Sequence, residues 1–395
     1  IKKMTYKINM KKIIWVLSLF LFGGAVSYLI IVNFVGDLRP AILPSSSVTE
    51  PTVVSEQVDP TPSRTDWGRP LNFELNLPPD YQISVFANQL VGARDLQFSP
   101  GGTLLVSSPS EGTVYALPDE DNDGYFDQAK PIITNLNLPH GLAFYQEQLF
   151  IAEETRVTRW DWDETALSAE LDQELFSLPK GGRHTTRTID FREDGQMFVS
   201  LGSTCNVCFE DHPWIATVIT SNAQGQEPTV FAQGLRNAVF IKVNPETSNL
   251  WGTEMGRDFL GDNTPPDEIN LIRQGEHYGW PVCYGGQIYD TDFGQRSLEF
   301  CENTQPPVFN IQAHAAPLGL TFIDSDLFPQ GWQGDLLVAY HGSWNRTVPV
   351  GYKIVRIELD GQTIIQEQDF ITGFLKDDKA LGRPVDVTFG PNGRL

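Results

Sequence analysis

One turn-plus-strand phrase, repeated along the chain, restricts the fold more than any other feature. It first reads Ala93-Arg-Asp-Leu-Gln-Phe-Ser-Pro-Gly-Gly-Thr-Leu-Leu-Val-Ser. It returns as His140-Gly-Leu-Ala-Phe with Gln148-Leu-Phe-Ile-Ala, and as Thr188-Ile-Asp-Phe-Arg-Glu-Asp-Gly-Gln-Met-Phe-Val-Ser. Later copies are Asn237-Ala-Val-Phe-Ile-Lys-Val-Asn-Pro with Asn249-Leu-Trp-Gly, Leu318-Gly-Leu-Thr-Phe with Asp335-Leu-Leu-Val-Ala, and Val385-Asp-Val-Thr-Phe-Gly-Pro-Asn-Gly-Arg-Leu. Short alternating strands joined by Pro/Asp/Asn-Gly turns, at an early spacing of about 46 residues, mark propeller blades. The copies predict an all-β, six-bladed β-propeller over residues 71–395. Helical periodicity is nearly absent beyond the N-terminal apolar run, which argues against an α/β fold. Wider gaps between later copies leave long loops at 203–230 and 256–315, expected to crowd one end of the channel. The last copy stops at Leu395 in the middle of its second strand, so the last blade reads as truncated. Tyr81-Gln-Ile-Ser-Val-Phe86 is the candidate strand to pair into it, with an exposed edge left over.

The N-terminal side reads differently. The chain begins at Ile1, with Met4 and Met10 as candidate starts, and residues 1–12 form a basic segment expected in the cytoplasm. Ile13 to Val35 is 23 residues without a charge, near the ~20 needed to cross a hydrocarbon core. Ala25-Val-Ser27 has the small residues of a cleavage site, but the apolar run continues through Val32. An uncleaved transmembrane signal anchor is therefore favoured over a cleaved signal peptide. Residues 36–70, rich in Pro, Ser and Thr, read as a linker. The remainder is expected to be a membrane-anchored, extracytoplasmic domain, periplasmic or at the cell surface.

Charge and cysteines narrow the partners. Removing the five lysines of the basic segment takes the formal charge from −22 to −27. A surface that negative repels phosphate backbones, so nucleic acid is excluded as a partner; cations and neutral sugars are compatible with it. An oxidising compartment favours disulfides among Cys205, Cys208, Cys283 and Cys301. Three pairings exist, and the preferred one closes a tight Cys205–Cys208 ring and staples the long fifth-blade loop through Cys283–Cys301. The 18-residue gap between the second pair lacks the C-x-x-C spacing of a zinc site. Asp119, Asp121, Asp123 and Asp127 fit the first half of an EF-hand-like calcium loop, although Lys130 stands where a bidentate Glu belongs. A weak structural calcium site and an unoccupied acidic turn are both consistent with it.

Polar chemistry concentrates between Gly234 and Pro281. Gly234-Leu-Arg-Asn237 is followed by Asp267-Glu-Ile-Asn-Leu-Ile and Tyr278-Gly-Trp-Pro281, with His184 upstream and His341-Gly-Ser-Trp-Asn-Arg346 and Gly382-Arg-Pro-Val-Asp-Val387 downstream. In this order the motifs resemble the glucose/sorbosone dehydrogenase family, closest to its sorbosone branch: six-bladed propellers that use pyrroloquinoline quinone (PQQ) and calcium. The resemblance covers roughly residues 75–395. It implies an oxidoreductase that oxidises an aldose- or sorbosone-type sugar by hydride transfer to PQQ, with electrons leaving to an external acceptor.

The resemblance also implies roles. His184 is the general base, Arg236 stabilises the reduced quinone, and Asn237, Arg346 and Arg383 contact the cofactor. His341 and Asn345 join them from the 340–346 run, where Trp344 offers a stacking platform. Backbone carbonyls of Gly256 and Arg257 hold the calcium. Three positions depart from the glucose dehydrogenases: Arg183 replaces an acidic residue, Met255 a Gln, and Val385 a second arginine. Two other readings fit the same residues. One is a calcium-dependent lactonase-type hydrolase; the other is a non-catalytic sugar-binding propeller, favoured by those three departures. Fold alone does not choose among them.

Overall fold

The computed structural model describes residues 68–294 and 298–395. The basic segment, the expected anchor at 13–35 and most of the 36–70 linker lie outside the described residues. Among those described, no helix is long and apolar enough to cross a membrane.

Each complete copy of the repeated phrase supplies the first two strands of an antiparallel sheet. The first sheet is β1 (Leu96–Phe98), β2 (Leu104–Ser108), β3 (Thr113–Leu117) and β4 (Lys130–Ile133). The second is β5 (Gly141–Tyr145), β6 (Gln148–Ala152), β7 (Arg156–Asp163) and β8 (Ser168–Ser177). The third is β9 (Ile189–Phe191), β10 (Gln196–Leu201), β11 (Thr217–Asn222) and β12 (Thr229–Gln233). The fourth begins with β13 (Ile241–Val243), β14 (Leu250–Glu254) and β15 (Asp267–Ile272). An insertion with the hairpin β16 (Cys283–Tyr284) and β17 (Ile288–Tyr289) and the short helix α1 (Leu298–Glu302) precedes its last strand, β18 (Phe309–Ile311). The fifth is β19 (Pro317–Phe322), β20 (Leu336–Tyr340), β21 (Lys353–Asp360) and β22 (Thr363–Ile371), followed by the hairpin β23 (Leu375–Lys376) and β24 (Lys379–Ala380). All five are up-and-down meanders, and their first strands stand side by side, β1 against β5, β5 against β9, β9 against β13 and β13 against β19. The molecule is an all-β propeller with five four-stranded blades among the described residues.

The second strands, such as Gln148-Leu-Phe-Ile-Ala and Leu336-Leu-Val-Ala-Tyr, are apolar on both faces because a neighbouring blade covers each face. Accordingly the core lies between blades. Phe150 of the second blade packs on Phe191 of the third with ring centroids 4.7 Å apart, and Trp251 of the fourth meets Phe322 of the fifth at 6.2 Å. The outermost strands β8 and β22 are mostly exposed, and more than half of their residues are polar.

The sixth phrase takes the place of an innermost strand without forming a ladder. Gly319 N donates to Val385 O at 2.8 Å, and Leu96 N donates to Asp386 Oδ2 at 2.9 Å, so the phrase bridges the fifth and first blades. The expected strand at Tyr81–Phe86 does not form; Val85 makes only an isolated bridge with Arg69. Its apolar side chains instead cover the fifth blade, with Tyr81 against Phe328, Trp332 and Phe370. Asn76 pairs with Thr372 just beyond β22.

Two loop expectations change. The segment from 203 to 230 contains β11 and the start of β12, so only 203–216 and the short turn at 223–228 are loop. The Cys283–Cys301 disulfide forms as preferred, but it closes the insertion between β15 and β18 of the fourth blade rather than a fifth-blade loop. The Cys205–Cys208 ring also forms.

Candidate active site

Because the innermost strands lie side by side, the residues just before them gather at one end of the channel. Arg94 precedes β1, His140 precedes β5, His184 and Arg187 precede β9, Arg236 and Asn237 precede β13, His314 precedes β19, and Arg383 precedes the sixth phrase. Backbone bonds stitch these starts together: Gly141 N donates to Arg187 O at 2.8 Å, and Ser203 N to Arg236 O at 2.7 Å.

His184 is half-buried, with its Nδ1 3.1 Å from Ser203 O and 2.9 Å from Ser203 Oγ. Burial, reinforced by the charges of Arg236 and Arg183, pulls its pKa down to about 3. The ring is therefore neutral at pH 7, and with Nδ1 donating to Ser203 O its Nε2 lone pair is the proton acceptor. Gly202 lets this ring approach Asn237: a Cβ on Gly202 would meet His184 Cβ at 2.6 Å and Asn237 Oδ1 at 2.7 Å. Asn237 N donates to Glu254 Oε1 at 3.0 Å, whereas its buried Oδ1 has no hydrogen-bond partner. An unsatisfied buried acceptor beside a neutral imidazole is a place prepared for a ligand donor.

Arg236 is only 3% exposed, and all five of its donors are engaged. Nε donates to Asn206 O at 2.9 Å, Nη1 to Met255 O at 3.1 Å and Gly256 O at 2.9 Å, and Nη2 to Asn206 Oδ1 at 2.8 Å and Asp258 Oδ2 at 3.2 Å. Asp258 also accepts from Arg183 at 2.8 Å and from Asn345 Nδ2 at 2.9 Å. The acidic partner absent at position 183 is thus supplied by Asp258, and Arg183 completes the pair from the other side. Arg236 reaches the site through its charge, with no N–H left over. The Gly256 carbonyl, expected to hold calcium, has one lone pair committed to Arg236, while Gly256 N donates to Asp267 Oδ1 at 2.9 Å. The Arg257 carbonyl takes no hydrogen bond among the described residues, and its guanidinium is turned away onto Asp290 at 2.8 Å.

Beneath this segment, Glu254 and Glu268 stand directly opposite each other on β14 and β15. Burial raises Glu254 well above the carboxylate range, with Glu268 adding to the shift, and pushes Glu268 to about 7. Both line a cavity of about 20 Å³ shared with Arg236, Arg257 and Asp290, room for one water.

The other expected contacts divide. Arg346 is turned onto the 262–263 loop and Ala313, donating to Ala313 O at 3.0 Å, Asn263 Oδ1 at 3.3 Å and the Asp262 carbonyl. Arg383 is exposed, donates to Gly342 O at 2.8 Å and Tyr352 OH at 2.9 Å, and lies over the Tyr352 ring. His341 anchors its Nδ1 2.9 Å from Pro384 O, and its pKa is lowered by burial and by Arg94 and Arg383 nearby. Asn345 joins Asp258, and its Oδ1 is buried without a partner. Trp344 is 64% exposed, edge-on to Phe259. Arg94 and Asn206 escaped the sequence reading, as did the pairing of Asp258 with Arg236. Arg94 is half-buried near His140 and His341, and its guanidinium has no carboxylate partner among the described residues. Its position in the repeat, one column with His140 and Arg187, was the signal available.

Away from this end, the carboxylates of Asp119, Asp121 and Asp123 gather within 4.8 Å of one another. Asp119 caps the backbone of Asp123 and Gly124, and Asp123 pairs with Arg69 at 2.9 Å. Asp127 bonds Glu120 N at 2.8 Å instead of joining the group.

Known proteins place the fold. A protein of Borreliella burgdorferi described as uncharacterized is 30% identical over 332 residues, 79% of this chain and 85% of its own length. A PQQ-dependent pyranose dehydrogenase of Coprinopsis cinerea is 23% identical over 337 residues, spanning 72% of this chain but only 44% of that enzyme. The structure of the PQQ domain of the Coprinopsis cinerea pyranose dehydrogenase superposes with a TM-score of 0.71 at 19% identity, over 82% of this chain and 94% of that domain, which shows a shared propeller fold. Matched to the TrAA12-like family from residue 75 to residue 395, the chain belongs to that family.

Proposed function

We propose that the chain is a PQQ-dependent sugar oxidoreductase that oxidises an aldose- or sorbosone-type sugar at its anomeric or hydrate carbon. The observation that carries this reading is the neutral His184 ring set against the unpartnered Asn237 Oδ1 across Gly202. His184, oriented by Ser203, takes the proton of the sugar hydroxyl at Nε2. Asn237 orients a donor on the bound ligand. PQQ, when bound, supplies the two-electron acceptor. Its carboxylates require cations, and the Arg94 guanidinium has no carboxylate partner among the described residues, with Arg383 and His341 nearby; Arg94 makes good the cation missing at Val385. Arg236 favours developing negative charge through its field, and Asn345 and Arg346 hold the 258–263 loop at the rim.

Calcium is assigned to the carbonyls of Gly256 and Arg257, hard oxygen donors on a segment that Asp267 fixes at Gly256 N. The propeller closes as six blades through the sixth phrase, clasped by Asp386 on Leu96 N. Residues 13–35 anchor it in a membrane with residues 71–395 outside the cytoplasm, a setting in keeping with two disulfides and no free cysteine among the described residues. Electrons leave to an external acceptor.

A titration of the full chain with PQQ and calcium, following cofactor absorbance and dye reduction by a panel of aldoses, tests the reading. Saturable binding with sugar-dependent reduction is expected, and His184→Ala should bind PQQ yet lose turnover. Absence of binding at tens of micromolar PQQ overturns it. The full engagement of Arg236 favours a second reading, a sugar-binding propeller without turnover; it predicts sugar binding with no dye reduction by wild type.

A further inference from the structure

Both proposed working groups, His184 and Arg236, rest on one four-residue ring. Cys205 and Cys208 are joined, with Asn206 and Val207 between them. Asn206 O accepts from Arg236 Nε at 2.9 Å and from Trp280 Nε1 at 3.3 Å, and Asn206 Oδ1 accepts from Arg236 Nη2 at 2.8 Å. The same Oδ1 accepts from Asp258 N at 2.8 Å, while Asn206 Nδ2 donates to Asp258 O at 3.1 Å. One amide side chain therefore fixes both members of the Arg236–Asp258 pair. On the other side of the ring, Cys205 O accepts from Ser203 Oγ at 2.7 Å, and Ser203 holds His184 Nδ1. Thr204 carries the segment between, its O accepting from Arg183 N at 2.8 Å and its N and Oγ1 donating to Glu210 at 2.8 and 2.7 Å.

We propose that the Cys205–Cys208 ring is a redox-addressable positioning element, which keeps Arg236 and His184 in place through Asn206 and Ser203 and releases both when a dithiol opens it. The catalytic meaning rests on the function proposed above; the mechanical coupling does not. Two observations make the ring addressable, and a third limits what opens it. Both sulfurs belong to half-buried residues, whereas Cys283 and Cys301 are 4% and 1% exposed, so an external thiol reaches the first pair before the second. The ring is a loop segment with no strand pairing of its own, held by the disulfide and by the contacts it makes to the site. Glu210 Oε1 stands 3.8 Å from Cys208 Sγ and 4.0 Å from Cys205 Sγ, where its charge opposes a thiolate and so confines opening to a strong dithiol reductant.

The exchange is balanced. A thiolate of the external dithiol attacks one sulfur, the S–S bond breaks, and the departing cysteine takes a proton. The reductant's second thiol then displaces the first cysteine from the mixed disulfide. Two electrons and two protons end on Cys205 and Cys208, the external dithiol leaves as its disulfide, and an oxidised dithiol reverses the sequence.

The test uses the full chain treated with dithiothreitol and then an alkylating agent, with mass spectrometry to locate the labelled cysteines. Hydrogen exchange of the Arg236 Nε–H, assigned by loss of its signal in Arg236→Lys, is followed by NMR in the oxidised and reduced protein. Amides of β10 serve as the control for general loosening. Labelling confined to Cys205 and Cys208, with Arg236 Nε–H exchange accelerated tenfold or more and β10 amides unchanged, is the expected result. Asn206→Ala in the oxidised protein keeps the backbone acceptor for Nε but removes the one for Nη2, so a smaller acceleration is expected there. No labelling of Cys205 and Cys208 overturns the proposal, as does labelling with unchanged Arg236 exchange. A protein that fails to bind PQQ while showing the accelerated exchange refutes the proposed function and leaves the positioning ring intact. In a protein that does bind, opening the ring should weaken PQQ affinity at least tenfold.

Discussion

Gly202→Ala is the sharpest perturbation of the site. The added Cβ would lie 2.6 Å from His184 Cβ and 2.7 Å from Asn237 Oδ1, where ordinary contact begins at 3.4 Å. Asn237 Oδ1 ends a side chain and has no partner, so rotation relieves that contact cheaply. His184 Cβ is one bond from the backbone, and His184 N is itself bonded to Ser203 O at 3.2 Å, so it has no cheap rotation. The imidazole must retreat by roughly 0.8 Å, and a misplacement on the order of 1 Å lowers catalysis about 100-fold, or about 2.7 kcal/mol in the barrier. Overpacking also costs about 1–3 kcal/mol of folding stability. Dye-coupled kcat/KM with an aldose, at saturating PQQ and calcium, reads the first effect, and thermal unfolding reads the second. Gly286→Ala, which meets nothing within 4 Å, is the matched control and should behave as wild type. A Gly202→Ala protein with kcat/KM within threefold of wild type would show that the His184 position does not govern the reaction.

Arg94→Ala removes a cation with no counter-charge, so PQQ affinity should fall at least tenfold in an absorbance titration while the melting temperature stays within a degree or two. Asp258→Asn leaves Arg236 buried without its carboxylate, which should cost about 3–5 kcal/mol in urea unfolding. His184, with its pKa drawn down to about 3, should show no titration between pH 5 and 8 by NMR of the cofactor-free protein; a midpoint near 6.5 would refute its burial beside Arg236 and Arg183. Asp386 is pushed up to about 6 by burial, and Asp95 beside it is raised by burial and by Asp386. Both folded values exceed the unfolded value of about 4, so their contribution is complete below pH 4; that of Asp386 is lost as pH rises through about 6, and that of Asp95 as pH rises through its own raised value. The melting temperature should therefore drop between pH 5 and 7.5, and Asp386→Asn should shrink that drop; an equal drop in the variant refutes a protonated clasp between the sixth phrase and the first blade.

The fold was legible because each blade has a local grammar. Turn residues and apolar strands recur at fixed offsets, and Leu104–Ser108, Gln148–Ala152 and Gln196–Leu201 formed the strands their phrases predicted. Tyr81–Phe86 was misread because alternation alone cannot say whether an apolar face pairs as a strand or covers a neighbour's flank. Tyr81 does the second, on Phe328 and Trp332. His184, Arg236 and Asn237 were found because each sits in a motif. Arg94 was not, since its phrase Ala93-Arg-Asp looks like an ordinary turn until the six phrases are aligned as columns. Asn206, and the pairing of Asp258 with Arg236, were beyond reach for another reason. Their roles depend on a contact between residues 52 apart in sequence, closed by a loop with no periodicity to announce its path.

Hydrogen-bond satisfaction separates the polar residues of this channel end into two sets with different work. Arg236, Asp258 and Asn206 satisfy one another fully, as groups do when their task is to hold a shape, because a buried guanidinium with open donors is costly. Among the described residues, Asn237 Oδ1 and Asn345 Oδ1 have no hydrogen-bond partner and the Arg94 guanidinium has no carboxylate partner, an arrangement that persists where something else completes it. The charge of the saturated set still acts across the boundary: Arg236 helps to keep His184 unprotonated without donating a hydrogen bond to any ligand. A substitution in the first set should therefore register chiefly as lost stability and loosened geometry. A substitution in the second should register as lost affinity with the fold intact. Arg94→Ala and Asp258→Asn, measured side by side, place that boundary directly.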